Sequence, residues 1–298
     1  MVQREQPLSF DFVNRLRDRL TGERTTLMAY LLITGLLILL LYPALGWLVR
    51  SWLSNPYYTH GFLIPPLAAL LAWRHWRPLI AEPRQSEGRI GLPVTLVSLA
   101  AVVWALRWQN YVVASLAGVS LLFGILLYLE GWTRLRHWLF PLFFLTLMVP
   151  LPFVDRASPW FESFTAHAAA GLARLVGIAV VQQGGELSLP GTTLVVGAPC
   201  SGLRSLVAMF TVAVGWIYLV EGRAAAKALL LAAVVPLALF SNVLRIAILL
   251  AVALLWGQKP ALTFYHHWSS PVLFLLALGL LLALSKGVGC GQIRDDLF

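Results

Sequence analysis

A thiol, a guanidinium and an imidazole stand out in a chain that is otherwise mostly apolar: Cys200, Arg245 and His266. Together they are the parts of an acyl-transfer site, supplying a nucleophile, a cation for an oxyanion and a general acid. Cys200 lies in Ala198-Pro199-Cys200-Ser201-Gly202-Leu203-Arg204-Ser205, at the mouth of an expected helix. Unsatisfied backbone N–H groups at a helix start favour an anion and lower a thiol's pKa. Ser201 adjoins the thiol, and Arg204 follows one turn on, on the same face. The plainer reading of Cys200 is a small apolar core residue, since free cysteine is often buried. The proline before it and the Ser-Gly after it argue for a nucleophile instead.

Arg245 lies inside a long apolar stretch, well short of the stretch's end. Burying its charge in a bilayer costs several kcal/mol or more. A snorkelling arginine would need a place nearer the interface. Asn242, at i−3, shares its face, so both can converge on the interior of a bundle. His266 and His267 precede the last apolar run. Adjacent side chains project in different directions, so at most one faces a site as general acid; the other reading is an interfacial pair beside Trp268. His60, before Gly61, is either a helix-entry residue or a supporting member of the site. His60, His266, His267 and Cys200 lack the compact spacing of zinc ligands, so neither a metal nor another cofactor is expected. Asp155 and Glu186 are read as solvated loop charges.

The elements that must position these residues are membrane helices. Of 298 residues, 59% are hydrophobic and 12% charged, and a soluble domain carries about twice that share of charge. Several apolar runs reach the roughly 20 residues needed to cross a bilayer. The alternating strands of an outer-membrane barrel are absent. The fold class is therefore an all-α polytopic membrane protein with about eight transmembrane helices. They fall near 27–49, up to 73, 90–106, 110–130, 137–153, 201–220, 228–256 and 270–286, with both termini cytoplasmic. The first run is too long for a signal-peptide core.

The net charge of +9 is scattered over short loops. It reads as topology information under the positive-inside rule, and no aromatic-basic segment points to nucleic acid. Residues 1–26 form a cytoplasmic segment, 27–286 a single membrane domain and 287–298 a cytoplasmic tail. The segment 156–181 carries Glu162, His167 and Arg174 among small apolar residues. It is expected as an amphipathic helix on the outer surface, because counting it as a span would invert every later helix. Alternation around Pro190-Gly191 predicts a β-hairpin leading into Cys200. This topology sets Cys200, Arg245 and His266 toward one, extracytoplasmic, side. Cys290 falls on the opposite face as an unpaired thiol.

In this order and spacing the motifs resemble the exosortase/archaeosortase family of membrane-embedded transpeptidases. Pro199-Cys200-Ser201-Gly202-Leu203-Arg204-Ser205 is similar to the family's cysteine motif, and Asn242-Val243-Leu244-Arg245-Ile246 to its arginine motif. His266-His267-Trp268-Ser269-Ser270-Pro271 fits its histidine motif when His266 is aligned, with His267 as the register alternative. Tyr58-Thr59-His60-Gly61-Phe62-Leu63-Ile64-Pro65 resembles the family's early loop, and Leu189-Pro190-Gly191 its lead-in to the cysteine. The likeness runs from about residue 55 to 285. Ser270 departs from it, standing where the family often has glycine.

The resemblance implies a cysteine peptidase or transpeptidase of the bacterial inner membrane. Its partners would be the lipid bilayer and membrane-anchored substrate proteins with a C-terminal sorting signal of the PEP-CTERM kind: a motif such as Pro-Glu-Pro, one transmembrane helix and a basic tail. Cys200 would form a thioester, Arg245 would steady the oxyanion and His266 would protonate the departing amine. Arg204, Asn242, His60 and Ser201 would support binding. Two other classes make different demands. A transporter or lipid-linked sugar flippase would use Arg245 for an anionic head group and dispense with Cys200. A non-catalytic assembly protein for envelope polysaccharide export would tolerate replacement of all three.

Overall fold

In a bilayer the backbone must satisfy its own hydrogen bonds, and long leucine- and alanine-rich runs do so as helices. The computed structural model describes residues 8–74, 87–190, 192–195 and 202–294, and their side chains except those of 8–27, 192 and 264–267. The described elements are α1 (Leu8–Ser54), α2 (Ile64–Arg74), α3 (Gly88–Arg107), α4 (Tyr111–Leu135), α5 (Leu139–Thr146) and α6 (Pro152–Leu175). Three strands follow, β1 (Val181–Gln183), β2 (Glu186–Leu189) and β3 (Thr192–Val195), then α7 (Leu203–Leu219), α8 (Ala224–Trp256) and α9 (His266–Gly287). A 3-10 turn, Thr59–Leu63, leads into α2.

Among the described residues, five helical stretches are long and apolar enough to cross a membrane: Met28–Ser54, Gly88–Arg107, Tyr111–Thr146, Ala224–Trp256 and Trp268–Gly287. The expected count of eight is not reached by that measure. With 11 residues, α2 rises only about 16 Å, against a hydrocarbon core of about 30 Å. With 17 residues, α7 sits at the lower limit for a span. Tyr111–Thr146 counts once yet contains both α4 and α5. Between them Gly131 adopts φ 77°, ψ 173°, a region open essentially to glycine alone, and the chain folds back. Val112 and Leu116 near one end of this hairpin meet Met148 and Val149 at the other, around Leu48, Trp52, Tyr57 and Leu203.

The helices thus share two common ends. At one, Trp47 of α1 stacks on Tyr111 of α4, with centroids 6.1 Å apart. At the other, the Tyr30 hydroxyl donates to Glu130, which also accepts from Arg134 at 2.6 Å. This second, far end also gathers the C-terminal tail. Val220 bridges Ile293, the Glu221 N–H donates to Gln292 O at 2.8 Å, and the Arg294 N–H to Leu219 O at 2.9 Å. Cys290 is buried there against Gly222.

One stripe of α6 is buried, Val154, Ser158, Thr165, Ala166, Ala169, Ala170 and Ala173, at the spacing of a single helix face. Its alanines pack in one cluster with Ile246, Leu249, Leu250 and Ala253 of α8. The opposite face exposes Phe153, Trp160 and Phe164. The helix covers 152–175 rather than 156–181: Val176 and Gly177 turn the chain, and Val181 already opens β1. The hairpin β2–β3 pairs Leu189 with Thr192, and β1 joins as a third antiparallel strand. Strand alternation points Leu187, Leu189 and Leu194 into the cluster beneath α6. Asp155 sits in the first turn of α6, not in a loop, and accepts from Asn55 Nδ2 at 3.1 Å. Glu186 is exposed at the start of β2.

Candidate active site

Cys200 and Ser201 lie outside the described residues, as do the side chains of His266 and His267. Their immediate neighbours are placed. Gly202 precedes α7 in a left-handed conformation, φ 82°, ψ −11°. A Cβ there would stand 2.8 Å from Asn242 Nδ2 and 2.9 Å from its Cβ and Cγ. The backbone two residues after the cysteine is therefore pressed directly against the asparagine of the arginine motif. Asn242 is 3% exposed, and its Nδ2 donates to Thr165 Oγ1 of α6 at 3.4 Å.

One turn on, Arg245 is 5% exposed. Its Nη1 donates to Ser270 Oγ, in the second turn of α9, four residues after His266. Arg245 thus joins α8 to the helix that the histidines open. At 1.5 Å per residue it stands about 32 Å along α8 from Ala224, slightly more than the thickness of a hydrocarbon core. The expectation that Asn242 and Arg245 face the bundle interior holds. The two motifs meet at the same end of the bundle as the first turn of α9.

A cavity of about 410 Å³ opens here. Thr59, Arg204 and Ser205 line one part of it, and Arg245 and Ser270 another. Ala208, Pro271 and Phe274 supply apolar wall. Arg204 is exposed, and its Nη2 makes a long contact of 3.5 Å with Thr59 Oγ1. Two guanidiniums in one partly enclosed space form a site for an anion, be it a carboxylate, a thiolate or an oxyanion.

His60 stands behind the cavity wall, half-buried. Its Nε2 lies 3.3 Å from Thr211 Oγ1 of α7, and its ring stacks near Tyr58. The Thr211 hydroxyl already donates to Val207 O, so His60 Nε2 carries the hydrogen and donates to Thr211. The loop that carries His60 is fastened to α6. Tyr57 OH meets Ser158 Oγ at 2.5 Å, Ser158 donates to Glu162 at 2.6 Å, and the Leu151 N–H donates to Tyr58 OH at 3.0 Å.

Sequence reading did not single out Thr59, Thr165 or Phe274, and it noted Ser270 only as a departure from a motif. Helical spacing offers a signal for some of them. Ala208 lies four residues beyond Arg204, and Phe274 four beyond Ser270, each on the face already marked.

The model of the family described as Transmembrane exosortase (Exosortase_EpsH) matches residues 52–283. The chain belongs to the exosortase family. The match takes in every residue placed above, from His60 and Arg204 to Arg245 and Ser270. No curated protein and no solved structure matches the chain. Exosortases are a family of membrane cysteine transpeptidases, so this exosortase chain is a multi-pass membrane protein of a sorting-related enzyme family.

The environment of His60 in this exosortase has a consequence for pH. Burial, with a smaller contribution from the Arg204 charge, lowers the imidazole to about 4 from 6.5. His60 is therefore neutral in the folded protein near pH 7. Below pH 6.5 the unfolded chain takes up a proton that the folded chain refuses until about pH 4, so stability falls across that window as pH drops. The loss is at most about 3 kcal/mol, and less where solvent screens the ring. Melting of the detergent-solubilised protein between pH 7 and pH 4.5 should show a steeper fall in Tm for wild type than for His60→Gln. Equal slopes would remove His60 from the account.

Proposed function

We propose that the chain is a membrane cysteine peptidase or transpeptidase that cleaves the C-terminal sorting signal of exported proteins. The substrates are membrane-anchored, of the Pro-Glu-Pro type. The site works at the extracytoplasmic face of the bacterial inner membrane. The observation that carries the reading is the packing of Gly202 on Asn242. It ties the segment just after Cys200 to the helix that bears Arg245, while Arg245 reaches across to α9 just past His266.

In this reading the Cys200 thiolate attacks the scissile carbonyl carbon, and its electrons move onto the oxygen. The Arg245 guanidinium offsets the oxyanion charge in a poorly solvated place, where such an interaction is strongest. Collapse of the intermediate breaks the C–N bond, and His266 as imidazolium gives its proton to the departing amine. A thioester to Cys200 remains. Water or an acceptor nucleophile then attacks that thioester, loses its proton to the neutral imidazole, and frees the thiolate. Asn242 positions the start of α7 against α8, and Ser270 orients Arg245.

The test is a co-expressed, tagged substrate with a Pro-Glu-Pro-type tail. Wild type should shorten it, Cys200→Ala should not, and Cys200→Ala should lose activity completely rather than by degrees. Of His266→Ala and His267→Ala, only the one that carries the general acid should abolish processing. Full processing by Cys200→Ala would reject the nucleophile and with it the enzyme reading of this site.

A further inference from the structure

We infer that Arg204 is a specificity residue: the cavity beside α7 takes a segment with one carboxylate side chain, and the Arg204 guanidinium pairs with it. The word specificity rests on the peptidase reading above; the binding of a carboxylate does not.

The two cations of the cavity stand in different situations. Arg245 is buried and held by Ser270. Arg204 is exposed, and among the described residues its one hydrogen bond is the 3.5 Å contact with Thr59. A charge so loosely held costs little to redirect toward an incoming partner.

Among the described residues, none that lines this cavity carries a carboxylate. Between Glu186 and Asp295 the sequence contains a single acidic residue, Glu221, and that residue sits just past the far end of α7, about 25 Å along the helix from Arg204. The acids of α6 that approach the neighbouring loop are engaged: Asp155 accepts from Asn55, and Glu162 from Ser158. His60, next to Thr59, is held neutral by burial, so it neither competes for an anion nor compensates one. A cationic cavity whose described lining holds no carboxylate is complementary to a substrate that brings one.

Shape and position favour a peptide over a lipid phosphate as the source of the charge. At about 410 Å³ the cavity falls within the range of ligand-sized clefts, about 300–1,000 Å³. Pro271 and Phe274 give it an apolar wall suited to uncharged residues beside an acidic one. Arg204 follows Cys200 by four residues in sequence, so in the peptidase reading the residues it meets are ones near the reacting bond.

The experiment measures binding without turnover. Three short labelled peptides, identical except for one central glutamate, glutamine or lysine, are titrated by fluorescence anisotropy into full-length Cys200→Ala protein in neutral detergent. The glutamate peptide should bind at least about tenfold tighter than the other two, with the advantage shrinking as salt rises. Arg204→Glu, made on the same background, should reverse the order in favour of lysine; Arg204→Gln should flatten it. No preference in the parent protein, or equal weakening of all three peptides by Arg204→Glu, overturns the inference. A competition arm repeats the titration in nanodiscs of phosphatidylcholine with and without phosphatidylglycerol. Loss of the glutamate preference only in the anionic discs, dependent on Arg204, would assign the site to lipid phosphate and overturn it as well. Because the readout is binding, failure of cleavage in the co-expression assay would leave this result standing, and the reverse.

Discussion

Arg245→Lys is expected to lower kcat for sorting-signal cleavage by roughly a hundred- to a thousandfold, the scale of losing one oxyanion donor. The charge survives the substitution, but the planar fork does not, and lysine's ammonium is a point charge on a flexible stem. Ser270 Oγ is fixed in α9, so a lysine that follows it turns away from the position the guanidinium held at the cavity. KM should move far less than kcat, because the contact matters most after charge has developed on the oxygen. Steady-state kinetics on purified protein decide it. A kcat within about threefold of wild type would mean that the oxyanion is held by something else.

Gly202→Ala is expected to be as damaging, and through structure rather than chemistry. A left-handed φ costs an alanine about 1–2 kcal/mol. Its Cβ would also overlap Asn242 at 2.8–2.9 Å, and forcing an extra carbon into a packed site costs a further 1–3 kcal/mol or so. The start of α7 and the arginine motif must then separate, so activity should disappear while the protein still folds with a Tm lowered by several degrees. Gly171→Ala is the matched control. That glycine lies in α6 with open space around it, and helix propensity favours alanine by about 1 kcal/mol. Wild-type activity and Tm in Gly202→Ala would show that the contact between the two motifs carries nothing.

Much of the fold could be read from composition because a bilayer narrows the choices. Apolar runs near 90–106 and 228–256 became α3 and α8 within a few residues, despite Pro93 and Pro236 inside them. The hairpin around Pro190 was legible from alternation and a turn dipeptide. Two features were not. The third strand, β1, is too short to have a period. The end of α6 was misplaced by six residues, because Val176–Val181 is as apolar as the helix before it and only its backbone turns. The fold-back between the expected spans 110–130 and 137–153 was legible, and the structure places it at Gly131.

The site divides in the same way. Arg245 and Asn242 announced themselves as polar residues that a lipid-facing helix could not hold. Their partners did not. Thr59, Thr165 and Ser270 are small and uncharged, so sequence gives no reason to choose them among the many similar hydroxyls; only the crossing of α6, α8 and α9 selects them. Ser270 is instructive, since reading it as a missing glycine obscured its use as a hydrogen-bond acceptor.

The tail that returns to the α7–α8 turn bears on how the cavity admits a guest. Three backbone links, Val220 with Ile293, Glu221 with Gln292 and Leu219 with Arg294, rivet α7 to the end of α9. At the opposite end α9 is fastened to α8 through side chains, Arg245 to Ser270 and the Ser241 hydroxyl to Leu273 O at 3.0 Å. The three helices are therefore joined like tongs, by backbone links at the closed end and by side-chain links beside the cavity. In the peptidase reading, a peptide entering between α7 and α9 would press on the side-chain links beside the cavity rather than on the backbone links at the far end.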